Sequence, residues 1–215
     1  MLKGFKLEAT DAMSVVDKLV ALDKKYAVTA GGVAEALSRT AVSAQMAGVE
    51  LDKIAAMVTV VADVSQKSTD TVGESFKTLF ARYGNVKAGV FEDLTDSSGE
   101  TTENINDIEK VLNSVGIKVR TSNLEFREMD EVLEELADKW IGLTTVEKNA
   151  IATAMAGTRQ RENFNIMMEN YDEILKATET SLNANGTAEK GYAAVTESVA
   201  YQVNQMQAAW EKLAL

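Results

Sequence analysis

Along nearly the whole chain, apolar residues recur at spacings of three and four, the period of an amphipathic helix. Val15, Val16, Leu19, Leu22 and Tyr26 form the first stripe, with Thr10 or Asp11 placed to cap it. "TAGG" then breaks the pattern, and a helix over about 32–47 carries an alanine face at Ala36, Ala41, Ala44 and Ala47. Faces this small let a neighbouring helix approach closely. Gly48 predicts a left-handed stop. A third helix follows through Leu51, Ile54, Val58 and Val61, and a fourth through Val72, Phe76, Leu79, Phe80 and Tyr83, stopping at Gly84. Connections this short predict antiparallel hairpins of consecutive helices.

The period lapses over 85–104, where "DLTDSSGETTEN" reads as an exposed acidic loop. It does not match a calcium loop, because aligning Gly99 with the invariant glycine puts Leu94 at the first ligand position. Helical spacing returns at 105–115 and stops at Gly116. Alternation of Ile117 and Val119 with Leu124 and Phe126 about "RTSN" predicts a small β-hairpin near 117–126. Next comes a helix from about Asp130 through Val132, Leu133, Leu136 and Trp140. Thr144 with Glu147 three residues on is a capping-box pattern, opening a helix with Val146, Ala150, Ile151 and Ala154. After Gly157, Thr158 is placed to cap a helix with Phe164, Met167, Met168, Tyr171 and Leu175. "NANGT" at 183–187 breaks it. A long final stripe of Tyr192, Val195, Val199, Val203, Met206, Trp210 and Leu213 runs on without a stop signal.

These elements predict an all-α fold, a compact array of short antiparallel helices with one hairpin. The expected organisation is a flexible start at 1–9, a helical core over 10–182, and a long C-terminal helix over 186–215 continuing in a longer parent protein.

Composition supports this picture. The 215 residues include no proline, where roughly ten would be average. Histidine and cysteine are also absent. That excludes a Ser-His-Asp triad, a cysteine nucleophile, disulfides, and any metal site built on imidazole or thiolate. "IAAMVTVVADV" at 54–64 is the longest greasy run, about half a bilayer span and interrupted by Asp63. The net charge is −11, of which 92–138 carry −10 from 14 acidic and 4 basic residues. Such a chain lacks the electrostatic footprint of nucleic-acid binding.

The densest polar cluster is "GTRQRENF": Gly157, Thr158, Arg159, Gln160, Arg161, Glu162, Asn163 and Phe164. A glycine and two arginines at a helix start could bind an anion. The architectural reading weighs more: Gly157 turns the chain, Thr158 caps, and Arg159, Arg161 and Glu162 can bond carbonyls and carboxylates of neighbouring helices, with the alternative that one arginine is left exposed for a docking partner kept open. Arg159, Arg161 and Trp210 make up a candidate docking surface. Glu134 and Glu135 read as a solvated face, Met167 and Met168 as core, and Trp140 and Trp210 as packing anchors. No catalytic residue, cofactor or metal ligand is assigned.

"MDEVLEELADKWIGLTTVEKNAIATAMAGTRQRENFNIMMENYDE" resembles the core of phage tail tape measure proteins, as do "GGVAEALSRTAVSAQMAGVELDKIAAMVTVVADVSQKSTDTVGESFKTLFARYGNVKAG" and "VLNSVGIKVRTSNLEFREMDEVL". The resemblance spans about residues 10–213 and is most specific in "AIATAMAGTRQRENF". It implies a non-enzymatic, prophage-encoded structural protein that sets tail length, is assembled in the bacterial cytoplasm, resides in the virion tail and takes part in DNA ejection. It implies as partners tail-tube, tail-tip and distal-tail proteins, assembly chaperones and further copies of itself, with host-envelope contact during ejection and no sequence-specific nucleic-acid contact. The alternatives are a transglycosylase-like lytic domain and a bacterial helical scaffold unrelated to phage. Stops every 20–40 residues predict that this stretch folds back and adds little length to a ruler.

Overall fold

The computed structural model describes residues 2–87, 107–122 and 125–194, with single helical positions at 196, 199, 203 and 206. Nine helices with named bounds can be followed among them: α1 (Ala12–Asp23), α2 (Ala30–Ala47), α3 (Leu51–Ser65), α4 (Thr69–Lys87), α5 (Asp107–Ser114), α6 (Met129–Trp140), α7 (Thr145–Ala156), α8 (Arg161–Glu169) and α9 (Tyr171–Leu182). Residues 187–194 start a further helix, α10. The fold is all-α with one small antiparallel hairpin.

Helix α3 is the centre. From Ile54 through Val61 every residue is buried, Thr59 included, so the greasy run is surrounded by protein on all sides. Among the described residues no helix is long and apolar enough to cross a membrane. Helices α2, α4, α8 and α9 pack against α3, and α1 lies over α9 and α2.

The largest interface joins α2 and α4. These two run parallel, because the contacts advance together along both: Gly32 with Thr69, Ala36 with Gly73, and Met46 with Gly84. A Cβ on Gly73 would lie 2.9 Å from Ala36 Cβ, so glycine there permits the approach. Gly84 therefore does not end its helix as expected. It faces Met46 within α4, which continues to Lys87. The rest of the expected acidic loop, at 88–104, lies outside the described residues.

Several boundaries differ from the sequence pattern. "TAGG" is not a break. The Thr29 hydroxyl accepts from Gly32 N at 3.1 Å and caps α2, whose first turn contains both glycines. The reversal occurs just before, at 24–29, where Asp23 accepts from Ala30 N and Asp63 from Ala27 N. Gly48 ends α2 as expected, at φ 79° and ψ 40°. The expected flexible start forms two short 3-10 turns, Leu2–Phe5 and Ala9–Asp11. Leu2, Phe5 and Leu7 rest on the core, and Gly4 abuts Ala41. On α1, Val16 is exposed, and Tyr26 lies past the helix end with its hydroxyl on Glu173 at 2.9 Å.

The hairpin forms within the expected 117–126 stretch. Strand β1 is Arg120–Ser122 and β2 is Glu125–Phe126, so the "RTSN" taken for the turn is largely strand. Leu124 lies outside the described residues. Ile117 and Val119 are buried ahead of the strand. Arg120 holds the hairpin to α5 through a two-armed bond to Glu109, 2.8 Å on each arm, and lies 4.3 Å over Phe126. Tyr83 on α4 donates to Arg127 O at 2.9 Å, closing the other side.

The expected single helix after Gly157 is two. Asn170 separates α8 from α9, its side-chain amide donating to Ile166 O at 2.8 Å beside its own backbone N–H, which donates to the same carbonyl at 3.1 Å. Leu175 consequently faces outward, as do Val146 and Ala150 on α7.

Candidate functional site

The motif at 157–164 builds the corner between α7 and α8. Gly157 sits at φ 76° and ψ 165°, a backbone region open essentially to glycine alone. Its carbonyl accepts from Gln160 N at 3.2 Å, closing a tight turn. Thr158 is exposed within that turn and caps nothing. Helix α8 begins at Arg161, with Gln160 at the N-cap position and no side-chain cap.

Two polar residues of the motif, Gln160 and Asn163, are turned inward, and Glu162 bonds from the surface. Ser75 of α4, 3% exposed, donates to Gln160 Oε1 at 2.6 Å and accepts from Asn163 Nδ2 at 2.6 Å. Lys67, in the α3–α4 connection, donates to Asn163 Oδ1 at 3.0 Å and pairs with Glu162 at 2.8 Å. Asn163 is 4% exposed, so these bonds compensate the burial of an amide that would otherwise be costly. Phe164 meets Trp140 edge-on at 6.0 Å, and Arg82 of α4 donates to Ala154 O at 3.0 Å near the end of α7. The corner and the end of α7 are thus held to α4 at Ser75 and Arg82, and to the α3–α4 connection at Lys67.

Arg159 and Arg161 do not take part. Both are exposed, and neither has a hydrogen bond or ion pair among the described residues. Of the two uses left open for these arginines, internal bonding is not seen among the described residues, and Glu162 pairs with the Lys67 ammonium of the α3–α4 connection. The other four arginines are engaged: Arg39 with Glu35, Asp70 and Glu74, Arg82 with Ala154 O, Arg120 with Glu109, and Arg127 with Glu131 and Glu135. Trp210, the third residue of the candidate docking surface, lies outside the described residues.

Sequence reasoning missed Lys67 and Ser75. Ser75 carried a legible signal, a hydroxyl on the apolar stripe between Val72, Phe76 and Leu79. Lys67 carried none, since its role depends on a residue 95 positions away.

Three carboxylates of α6 are held within the body. Glu135, read as solvated, is bound by Arg127 at 2.6 Å and Lys139 at 3.5 Å, and the Arg127 bond holds its carboxyl below the usual range. Glu134 pairs with Lys53 at 2.7 Å, whose ammonium also lies 4.9 Å over the Tyr171 ring. Asp130 is displaced upward, chiefly because burial disfavours its charge. No group of three or more metal-ligating side chains gathers among the described residues. Beside the corner, Ala27, Val28, Thr29, Ala62, Ser68 and Thr69 line a shallow groove, whose Lys67 is already committed to Glu162 and Asn163.

A family model described as phage-related minor tail protein matches residues 1–157. The match takes in the body from α1 through α7 and ends at the glycine of the corner. No solved structure matches the chain.

Proposed function

The chain belongs to the phage-related minor tail protein family, and from that membership we propose that it is a folded region of a tail tape measure protein. The match across 157 of the 215 residues carries this reading, and the motif ending in "GTRQRENF" supports its finer part. A bacterial scaffold unrelated to phage is set aside by the same membership.

Within such a protein this region is an anchoring module and not the ruler. A continuous helix of this length would span roughly 320 Å at about 1.5 Å per residue. Here the chain folds back repeatedly around α3, so few of its residues add length. Its task is non-enzymatic. It docks tail-tube, tail-tip or distal-tail subunits and assembly chaperones in the bacterial cytoplasm, and stays with the virion tail until ejection. The full-length protein associates with further copies of itself, reaches the host envelope during ejection, and makes no sequence-specific contact with nucleic acid. Arg159 and Arg161 are the unengaged charges such docking would use.

Electron microscopy of particles made with a nonsense allele of the gene tests the tape measure reading. Absent or irregular tails are expected, and tails of normal length and number would overturn it. In-frame duplication of the region tests the module reading, with tail length expected to change by far less than the extended helix length. Incubation of the protein with cell walls tests the lytic alternative, and clearing there would overturn the non-enzymatic assignment.

A further inference from the structure

Asp17 is a carboxylate on the inner side of α1 and only 4% exposed. Both its oxygens are used: Oδ2 accepts from Gly186 N at 2.8 Å and Oδ1 from Ala188 N at 2.8 Å. Those N–H groups open α10 and have no acceptor within their own helix. A cap normally comes from the residue preceding a helix. Here it comes from 169 and 171 positions earlier in the chain. The two N–H bonds hold the Asp17 carboxyl below its ordinary value, and its charge complements the positive end of the helix.

One further contact lies alongside. Lys24 donates to Thr187 O at 3.3 Å, and a Cβ on Gly191 would stand 3.0 Å from its ammonium. Gly186, at φ 73°, allows the sharp entry into α10. Past Gly191 the described side chains face solvent. Tyr192, Ala193, Ala194, Thr196, Val199, Val203 and Met206 are all exposed. Among the described residues, the contacts that hold this helix to the body lie in its first two turns.

We propose that Asp17 is the clamp that fixes the angle at which the C-terminal helix leaves the helical body, making that helix a rigid lever and not a loose tether. Two bonds from one carboxylate to two amides of one turn restrain direction as well as position, which a single contact would not. This inference goes beyond the tail assignment and stands on geometry alone, so either can fail without the other.

The full chain has no cysteine, so spin labels attach only where one is introduced. Val42→Cys on α2 and Thr196→Cys on the lever, both exposed sites, report their separation by pulsed electron resonance. With Asp17 present a single narrow distance distribution is expected. Asp17→Asn keeps the volume and one acceptor oxygen and should broaden it; Asp17→Ala should broaden it further. In Asp17→Ala, amide exchange at Gly186 and Ala188 should rise on the order of ten- to a hundredfold, with α3 amides unchanged. A distribution already broad with Asp17 present overturns the proposal, as does one equally narrow in all three proteins. Should Asp17→Ala fail to unfold cooperatively, Asp17→Asn decides the matter.

Discussion

Gly73 and Gly84 are both glycines inside α4, yet they have opposite consequences. A Cβ on Gly73 would meet the Ala36 Cβ at 2.9 Å and its Cα at 3.0 Å, and neither atom can swing away. Gly73→Ala should destabilise by about 1–3 kcal/mol from overpacking, despite a helix-propensity gain of about 1 kcal/mol. At Gly84 the nearest atom is Met46 Cβ at 3.4 Å, which is ordinary contact. Gly84→Ala should be neutral or stabilising by up to about 1 kcal/mol. Urea unfolding of both variants checks the pair, and equal effects would contradict the parallel α2–α4 approach. The corner motif divides in the same manner. Asn163→Ala removes the amide that bonds both Ser75 and Lys67, and should cost about 1–3 kcal/mol. Arg159→Ala and Arg161→Ala should each fall within about 0.5 kcal/mol of the parent. "GTRQRENF" was legible as a corner through Gly157, but which of its polar residues turn inward was not. Arg161 and Asn163 are two residues apart, and only the position of α4 distinguishes them.

Among the elements, the two threonines that open helices in the sequence pattern separate cleanly. Thr144 is a working cap: its hydroxyl accepts from Glu147 N at 3.3 Å while Glu147 accepts from Thr144 N at 2.8 Å. Thr144→Ala should lower stability by about 1 kcal/mol. Thr158→Ala should change little, because Thr158 caps nothing. Thermal unfolding of the two variants side by side distinguishes them. The capping box was readable because both partners lie within one turn of each other. Asn170 was not readable as a boundary, because neither glycine nor proline marks it and helical spacing runs through it from Phe164 to Tyr171. The hairpin was legible as an element but not in register, since two- and three-residue strands have too little alternation to fix one. Its position is set by Arg120 reaching Glu109 on α5.

For the whole molecule, the charges knit separate helices together. Lys18 and Ser181 both bond Asp52, joining α1, α3 and α9. Asp17, Glu135 and Glu173 all sit below the usual carboxylate range through bonds they accept. A carboxylate lowered by folding contributes stability that is present above its unfolded value, about 4, and is lost as pH falls through the folded value. Tm should therefore hold from neutrality to about pH 5 and drop steeply below about pH 4. Asp130, raised by burial, acts with the opposite sign and relieves a small part of that loss on protonation. A Tm that is flat between pH 7 and 3 would mean that these pairs do not stabilise the fold.

By itself the sequence determined the helical class, the capping box at Thr144, the stop at Gly48, and the chemistry that missing histidine and cysteine exclude. Those depend on local backbone preference and on which atoms exist. Tertiary structure alone decided that Gly73 is a contact site, that Ser75 and Lys67 complete the corner, that Arg159 and Arg161 stay free, and that Asp17 caps a helix far along the chain. Each of these joins residues distant in sequence, and a periodic pattern records which face of a helix is buried without recording what covers it.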